Sequence, residues 1–324
     1  MAAYTVRRIL LIVPTLLALS MLLFFAIRVL PPRDAIDLQL DEQSRGDARV
    51  KADLRHYYGV DGPIWKQYLT WVGGLVHGDP GVSLHTRHPV RDEMKNRIPV
   101  SLELSFIGLA FTWLVSFPLG LVSGWYHDRP PDYLLRGFAY LLDAIPCFVI
   151  AILALTYLAV YFKWVPPLTF SYLWDDPGRH IKIMILPTII IALGTSGALI
   201  RFTRTFLLEA LRQDYVQTAR AKGLVERAVL RRHILRNLAL PFVTVLGATI
   251  PTLITSSVII EQLFNLPGMG RYLVLAAVNL DYPVIQSTTI LFGIIVLASN
   301  LATDLSYAWL DPRVSYGSRA SAGA

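Results

Sequence analysis

Cysteine and charge are both scarce in this chain. Its one cysteine, Cys147, excludes an intrachain disulfide and any multi-cysteine zinc or iron–sulfur centre. Charged residues make up 16% of the 324, whereas a soluble domain carries about a quarter. No G-x-x-x-x-G-K-S/T phosphate loop occurs, and Gly268-Met-Gly270 is too short to replace one. No H-E-x-x-H or G-x-S-x-G occurs either, and the seven histidines are scattered, so nothing marks an intramembrane enzyme. His56, His77, His85 and His88 gather loosely; surface histidines are the plainer reading, with a nickel-handling role left open. There is no fixed-period repeat and no low-complexity segment. The midplane charges expected of an ion-coupled secondary carrier are not evident.

What is abundant is apolar length. Hydrophobic residues reach 54% and mean hydropathy is +0.49. A helix crossing the hydrocarbon core needs about 20 mostly apolar residues. Six segments qualify, at 9–30, 98–126, 137–162, 183–200, 242–262 and 282–308. The first is expected to be an uncleaved span, since its apolar part is too long for a signal peptide and LPPRD is no small-residue cleavage site. Cations then set the orientation. Arg7 and Arg8 precede span one, and Arg129 and Arg136 lie between spans two and three. Nine Lys/Arg fall between Arg201 and Arg236, while Arg313 and Arg319 follow span six. The positive-inside rule places 1–8, 127–136, 201–241 and 309–324 in the cytoplasm, and 31–97, 163–182 and 263–281 outside. SRASAGA reads as a disordered tail.

The outer segment 31–97 holds one short helix. Pro63 suits its first position, and Ile64, Gln67, Tyr68, Trp71, Val72, Leu75 and Val76 share a face that would lie on the membrane interface or on other outer helices. A second outer helix follows span five, with Tyr272, Leu273, Ala276 and Ala277 as its apolar face.

The cytoplasmic insert reads DYVQTARAKGLVERAVLRRHILRNLALP over 214–241. Leu207, Leu211, Tyr215 and Ala219 recur every four residues, which predicts a helix over Phe206–Ala219. Gly223 interrupts it. Val225, Ala228, Val229 and Leu235 restart the pattern, and Pro241 marks the start of span five. Gly223 is either a helix cap or a point where another chain approaches closely. A DNA-reading hairpin is excluded by tethering, since Arg227, Arg231, Arg232 and Arg236 sit beside span five.

The run Tyr215–Gly223, with Arg236-Asn237 and Leu240-Pro241, resembles the EAA loop of ATP-binding-cassette (ABC) importer permeases, in its peptide/nickel (dipeptide–oligopeptide) version. YTVRRILLIVPTLLALSMLLFFAIRVLP, QYLTWVGGLVHGDPGVS, EQLFNLPGMGRYLVLAAVNLDYPVIQ and SYAWLDPRVSYG resemble the same family, in order, over roughly 4–317. Two positions depart from its pattern: Gln217 stands where the general motif has Glu, and Pro31-Pro32-Arg33-Asp34 where Pro-Gly-Asp-Pro is usual. The long outer segment resembles the B-type subunit.

The resemblance implies an all-α integral membrane protein of the type I ABC importer kind, with six spans and a coupling hairpin between the fourth and fifth. It implies a transport subunit without catalytic residues, metal or cofactor of its own, ATP and Mg belonging to separate ATPase subunits. It also implies a second permease chain, an extracytoplasmic binding protein, and di- or oligopeptides as cargo, with nickel chelates or oligosaccharides as alternatives. Docking of the ATPase is expected at Asp214, Tyr215, Thr218, Ala219, Arg220, Lys222, Gly223 and Val225. Ala219 and Gly223 would permit close approach, Tyr215 and Val225 would be apolar anchors, and Arg220 and Lys222 would meet acidic groups.

Span five carries Thr244, Gly247, Ala248, Thr252, Thr255 and Ser256, a small and polar stripe read either as tight helix packing or as path lining, with Thr244, Thr252, Thr255 and Ser256 as the lining candidates. Glu103, Asp143, Glu261 and Asp304 fall near span ends, where exposure or helix–helix hydrogen bonding is the plain expectation. Pro118, Pro146 and Pro251 are candidate kinks.

Overall fold

The computed structural model describes residues 2–29, 62–167 and 169–310. The Pro31–Asp34 turn, His56 and the tail from 311 lie outside the described residues. The described chain is helical, and its one β-type pairing is the isolated Val82–Pro89 bridge. In chain order the helices are α1 (Ala2–Val29), α2 (Ile64–Val76), α3 (Val90–Trp125), α4 (Pro130–Ala144), α5 (Cys147–Phe162), α6 (Pro177–Leu211), α7 (Asp214–Ala221), the single turn α8 (Glu226–Ala228), α9 (Leu235–Leu263), α10 (Met269–Val278) and α11 (Tyr282–Leu310).

Stretches of α1, α3, α6, α9 and α11 are each long and apolar enough to cross a bilayer. The span predicted at 137–162 is broken at Pro146, one of the candidate kinks: α4 and α5 meet at 91°. The cause is local. Ile145 precedes Pro146, whose ring disfavours helical backbone at the residue before it. Ile145 is accordingly extended, at φ −103° and ψ 112°. Pro241, expected at the start of span five, lies inside α9, as does Pro251.

The chain divides into two compact units. One is built on Ser101–Leu266 and the chain from Ala298; the other on Arg7–Val100 and Pro267–Leu297. In the first, α6 is the central helix, with 61% of its apolar stretch buried against 28% for α9. Asp176 caps its start by accepting from Arg179 N–H at 3.0 Å, and Pro177 follows in the first turn. Glycines let its neighbours come close. A Cβ on Gly197 would stand 2.4 Å from Ala139 O, and one on Gly120 would stand 2.4 Å from Thr203 Cβ. Polar side chains cross the same seams, with Thr112 and Thr195 hydroxyls 2.8 Å apart. Acidic groups near span ends make helix–helix bonds: Glu103 to His180 at 2.6 Å, Asp143 to Arg201 at 2.5 Å, and Glu261 to Ser101 at 2.7 Å.

In the second unit α2 packs on α1. Tyr68 and Trp71 meet Phe24 at ring distances of 5.4 and 5.6 Å, and Tyr68 and Ser20 hydroxyls are 2.8 Å apart. The other side of α2 leaves Trp65 and Leu69 exposed, and Val76, expected on the face with Tyr68 and Trp71, is exposed as well. α10 buries Met269, Tyr272 and Ala276 against Val90 and Val284, while Ala277, expected on the same face, is exposed.

Candidate functional site: the hairpin between α6 and α9

α6 carries Leu207 and Ala210 beyond its apolar stretch and ends at Leu211. The single helix predicted over Phe206–Ala219 is therefore two. Arg212 is the cap, Gln213 is extended at φ −74° and ψ 147°, and α7 begins at Asp214. The period of four still bears on packing, because Leu211 and Tyr215 rest on one apolar cluster with buried Leu207 and Ala219.

Gly223 closes α7. Its φ is +75°, its N–H donates to Arg220 O at 2.9 Å, and Leu224 N–H donates to Ala219 O at 3.3 Å. These two bonds and the left-handed glycine make a Schellman ending, so the cap reading describes the geometry within the chain. A Cβ at Gly223 would meet nothing within 4 Å. Among the described residues no neighbour requires a glycine there, and the position faces open space.

The return strand of the hairpin is not a separate helix before span five. Glu226–Ala228 forms one α-turn, Val229–Ile234 forms a π-helical segment, and α9 follows without a break. A π turn is wider than an α turn, and the five-residue step from Val229 to Ile234 turns both side chains inward while Arg231 and Arg232 stay exposed. Val216 and Ala219 from α7, Val229 and Ile234 from the return, Leu207 and Ala210 from α6, and Leu238 from α9 form one core. Each buried Val, Leu or Ile contributes about 1.5–3 kcal/mol, so the hairpin is a packed extension of α6 and α9.

The predicted docking residues separate on this frame. Ala219, expected at a close approach, is buried in the hairpin's own core, and Tyr215 is half-buried against it. Arg220, expected to face an external acid, is held by Glu226 at 2.9 and 3.1 Å. Asp214, Thr218, Lys222, Gly223 and Val225 are exposed, and Thr218 Oγ1 donates back to Asp214 O at 2.9 Å. Leu224 joins them: it is 40% exposed beside Val225 at 70%, so the turn presents two large apolar side chains outward.

A second group at the base of α6 was not visible in the sequence. Asp132, fully buried on α4, accepts from Ser123 Oγ at 2.6 Å and from Arg204 Nε and a terminal guanidinium nitrogen at 2.7 and 2.8 Å. This clamp ties α3, α4 and α6 together three residues before Leu207. Charge-assisted bidentate bonds hold geometry well. His127, Asp128 and Asp132 lie close enough to share a metal ion, but the Arg204 guanidinium already fills the Asp132 carboxylate.

The span-five stripe also divides. A Cβ on Gly247 would lie 2.0 Å from Thr303 Oγ1, so Gly247 serves close packing on α11. Thr244, Ala248, Thr252 and Thr255 are exposed at helical spacing along α9, and Ser256 is half-buried. Thr244 accepts from Tyr307 Oη at 2.7 Å.

Helices long and apolar enough to cross a bilayer, with a packed hairpin between α6 and α9, fit a multi-pass membrane protein. Residues 1–105 and 116–316 match the N-terminal and main models of the binding-protein-dependent transport system inner membrane component, and the chain belongs to this family of ABC importer permeases. It is 35% identical over 320 residues to the oligopeptide transport system permease protein AppB of Bacillus subtilis, covering 98% of this chain and 100% of that one. It is 32% identical over 339 residues to the dipeptide transport system permease protein DppB of Escherichia coli, covering 98% and 99%. In fold it is similar to a solved inward-facing structure of the MetNI methionine ABC transporter, with a TM-score of 0.54 and 16% identity over 67% of this chain and 96% of that one.

Proposed function

We propose that this chain is one of two permease subunits of an ATP-driven importer of di- and oligopeptides, and that the 212–234 hairpin receives the thrust of a separate ATPase. The observation that carries this reading is the hairpin itself. It shares one core with the ends of α6 and α9, runs into α9 without a break, and is tipped by exposed Gly223, Leu224 and Val225. A rigid lever joined to α6 and α9 transmits a push, whereas a floppy loop would absorb it. The peptide cargo is supported by the names of the relatives and by their end-to-end match.

In this reading both termini and the hairpin are cytoplasmic, following the Lys/Arg distribution. Spans two to six take the boundaries 98–126, 137–162, 183–200, 242–262 and 282–308, the third crossing with a bend at Pro146. ATP and Mg are bound by the ATPase subunits. The exposed Thr244, Thr252 and Thr255 face a second, different permease chain across a shared path, and the outer segments meet a binding protein that delivers peptide. The experiment is Gly223→Trp in the assembled transporter. At matched membrane levels it should abolish uptake of labelled peptide, and normal uptake would rule out the coupling role.

A further inference from the structure

We propose that the polar cavity between α4 and α6 binds the phosphate of an acidic phospholipid headgroup. The cavity has a volume of about 350 Å³ and is lined by Arg136, Tyr140, Ala198, Arg201, Phe202, Arg204 and Thr205. Its three guanidinium groups are not all paired. Asp143 pairs with Arg201 at 2.5 Å, and buried Asp132 takes Arg204. His127 Nδ1 also lies 3.0 Å from a terminal nitrogen of Arg204. Arg136 has no carboxylate among the described residues; its contact is with the Tyr133 ring at 5.7 Å. Asp128 adds its charge to the field on Arg204 and pairs with His127 at 3.1 Å, so Arg136 is the lining guanidinium left without a carboxylate among the described residues, a cationic fork beside a cavity that also offers the Tyr140 and Thr205 hydroxyls. A guanidinium matches phosphate oxygens with paired N–H donors.

The surroundings select a lipid over a free ion. Tyr140 and Phe202, which line the cavity, are themselves exposed, and Leu134, Phe138 and Leu141 are exposed along α4. A phosphate bound here would sit beside apolar surface suited to an acyl chain, with tyrosines at headgroup level. Basic pockets on the cytoplasmic side suit anionic headgroups. The leaflet assignment rests on the functional reading above, in which Arg136 and Arg204 lie near the cytoplasmic face.

The test is native mass spectrometry of the purified transporter complex titrated with phosphatidylglycerol, phosphatidylcholine and inorganic phosphate. The wild-type complex should retain phosphatidylglycerol at least about tenfold over phosphatidylcholine, the ratio expected of one charge-assisted hydrogen bond. Arg136→Gln should erase that preference, and Arg136→Lys should keep part of it. Equal retention of the two lipids by wild type, or an undiminished preference in Arg136→Gln, would overturn the proposal. Displacement of the lipid by equimolar inorganic phosphate would reassign the site to the free ion. If Arg136→Gln does not accumulate, the wild-type preference and the Lys variant decide. The ATPase subunit should co-purify with wild type and Arg136→Gln alike; its absence from both would fault the importer reading, whatever the lipid result.

Discussion

Ser83 and Asp281, 198 positions apart, are joined at the head of α11 by a hydrogen bond from the Ser83 hydroxyl to the Asp281 carboxylate. Leu84 and His85 N–H groups donate to the same carboxylate at 3.1 and 3.3 Å. Asp281 and Ser83 are both buried. Asp281→Asn replaces an acceptor oxygen with a donor NH₂ facing donors. The expected cost is about 1–3 kcal/mol, that of a buried unsatisfied group. A lowered melting temperature, with faster hydrogen exchange confined to 81–90 and the start of α11, would bear this out; unchanged exchange there would refute it.

The two sides of α9 should respond differently. Gly247→Val drives methyl groups into Thr303, and overpacking costs about 1–3 kcal/mol, so melting should fall. Thr252→Val is nearly isosteric on an exposed face and should leave melting of the isolated chain unchanged. In the assembled transporter it should alter uptake. Destabilisation of the isolated chain by Thr252→Val would mean that this face packs within the subunit.

Arg220 and Glu226 form a pair whose side chains are 36% and 50% exposed. Such pairs contribute about 0–1 kcal/mol. Arg220→Glu should therefore reduce uptake modestly, and Arg220→Glu with Glu226→Arg should restore it. A loss that the swapped pair does not repair would mean that Arg220 meets the ATPase directly.

Much of this arrangement was legible in the sequence, and the misses share a cause. Apolar length marked the spans, and the EAA-like run marked the hairpin. The α6–α7 break at Gln213 was hidden because Leu207, Leu211, Tyr215 and Ala219 keep a helical period across it; they pack on one core from two helices. The π segment leaves no compositional mark, and its five-residue step shows only once Val229 and Ile234 are both seen buried. Asp132 and Arg204 are 72 residues apart, and no local pattern announces such a pair. The bend at Pro146 was legible, since Pro146 stood among the candidate kinks, but the apolar run around it hid that the break reaches 91°.

Gly223 supports the sharpest test, because its two roles respond to different substitutions. Its φ of +75° is tolerated by Asn far better than by β-branched residues, and a Cβ there finds open space inside the chain. Gly223→Val should strain the α7 ending and lower hairpin stability by roughly 1–2 kcal/mol. Gly223→Asn should leave melting and hairpin hydrogen exchange near wild type. If the position serves only as a helix cap, the Asn variant transports normally. If a partner subunit packs against the bare backbone, Asn loses uptake and ATPase coupling despite an intact hairpin. We expect the second outcome. Paired measurements of exchange at 214–234 and of peptide-stimulated ATP hydrolysis in the assembled transporter would tell the two apart.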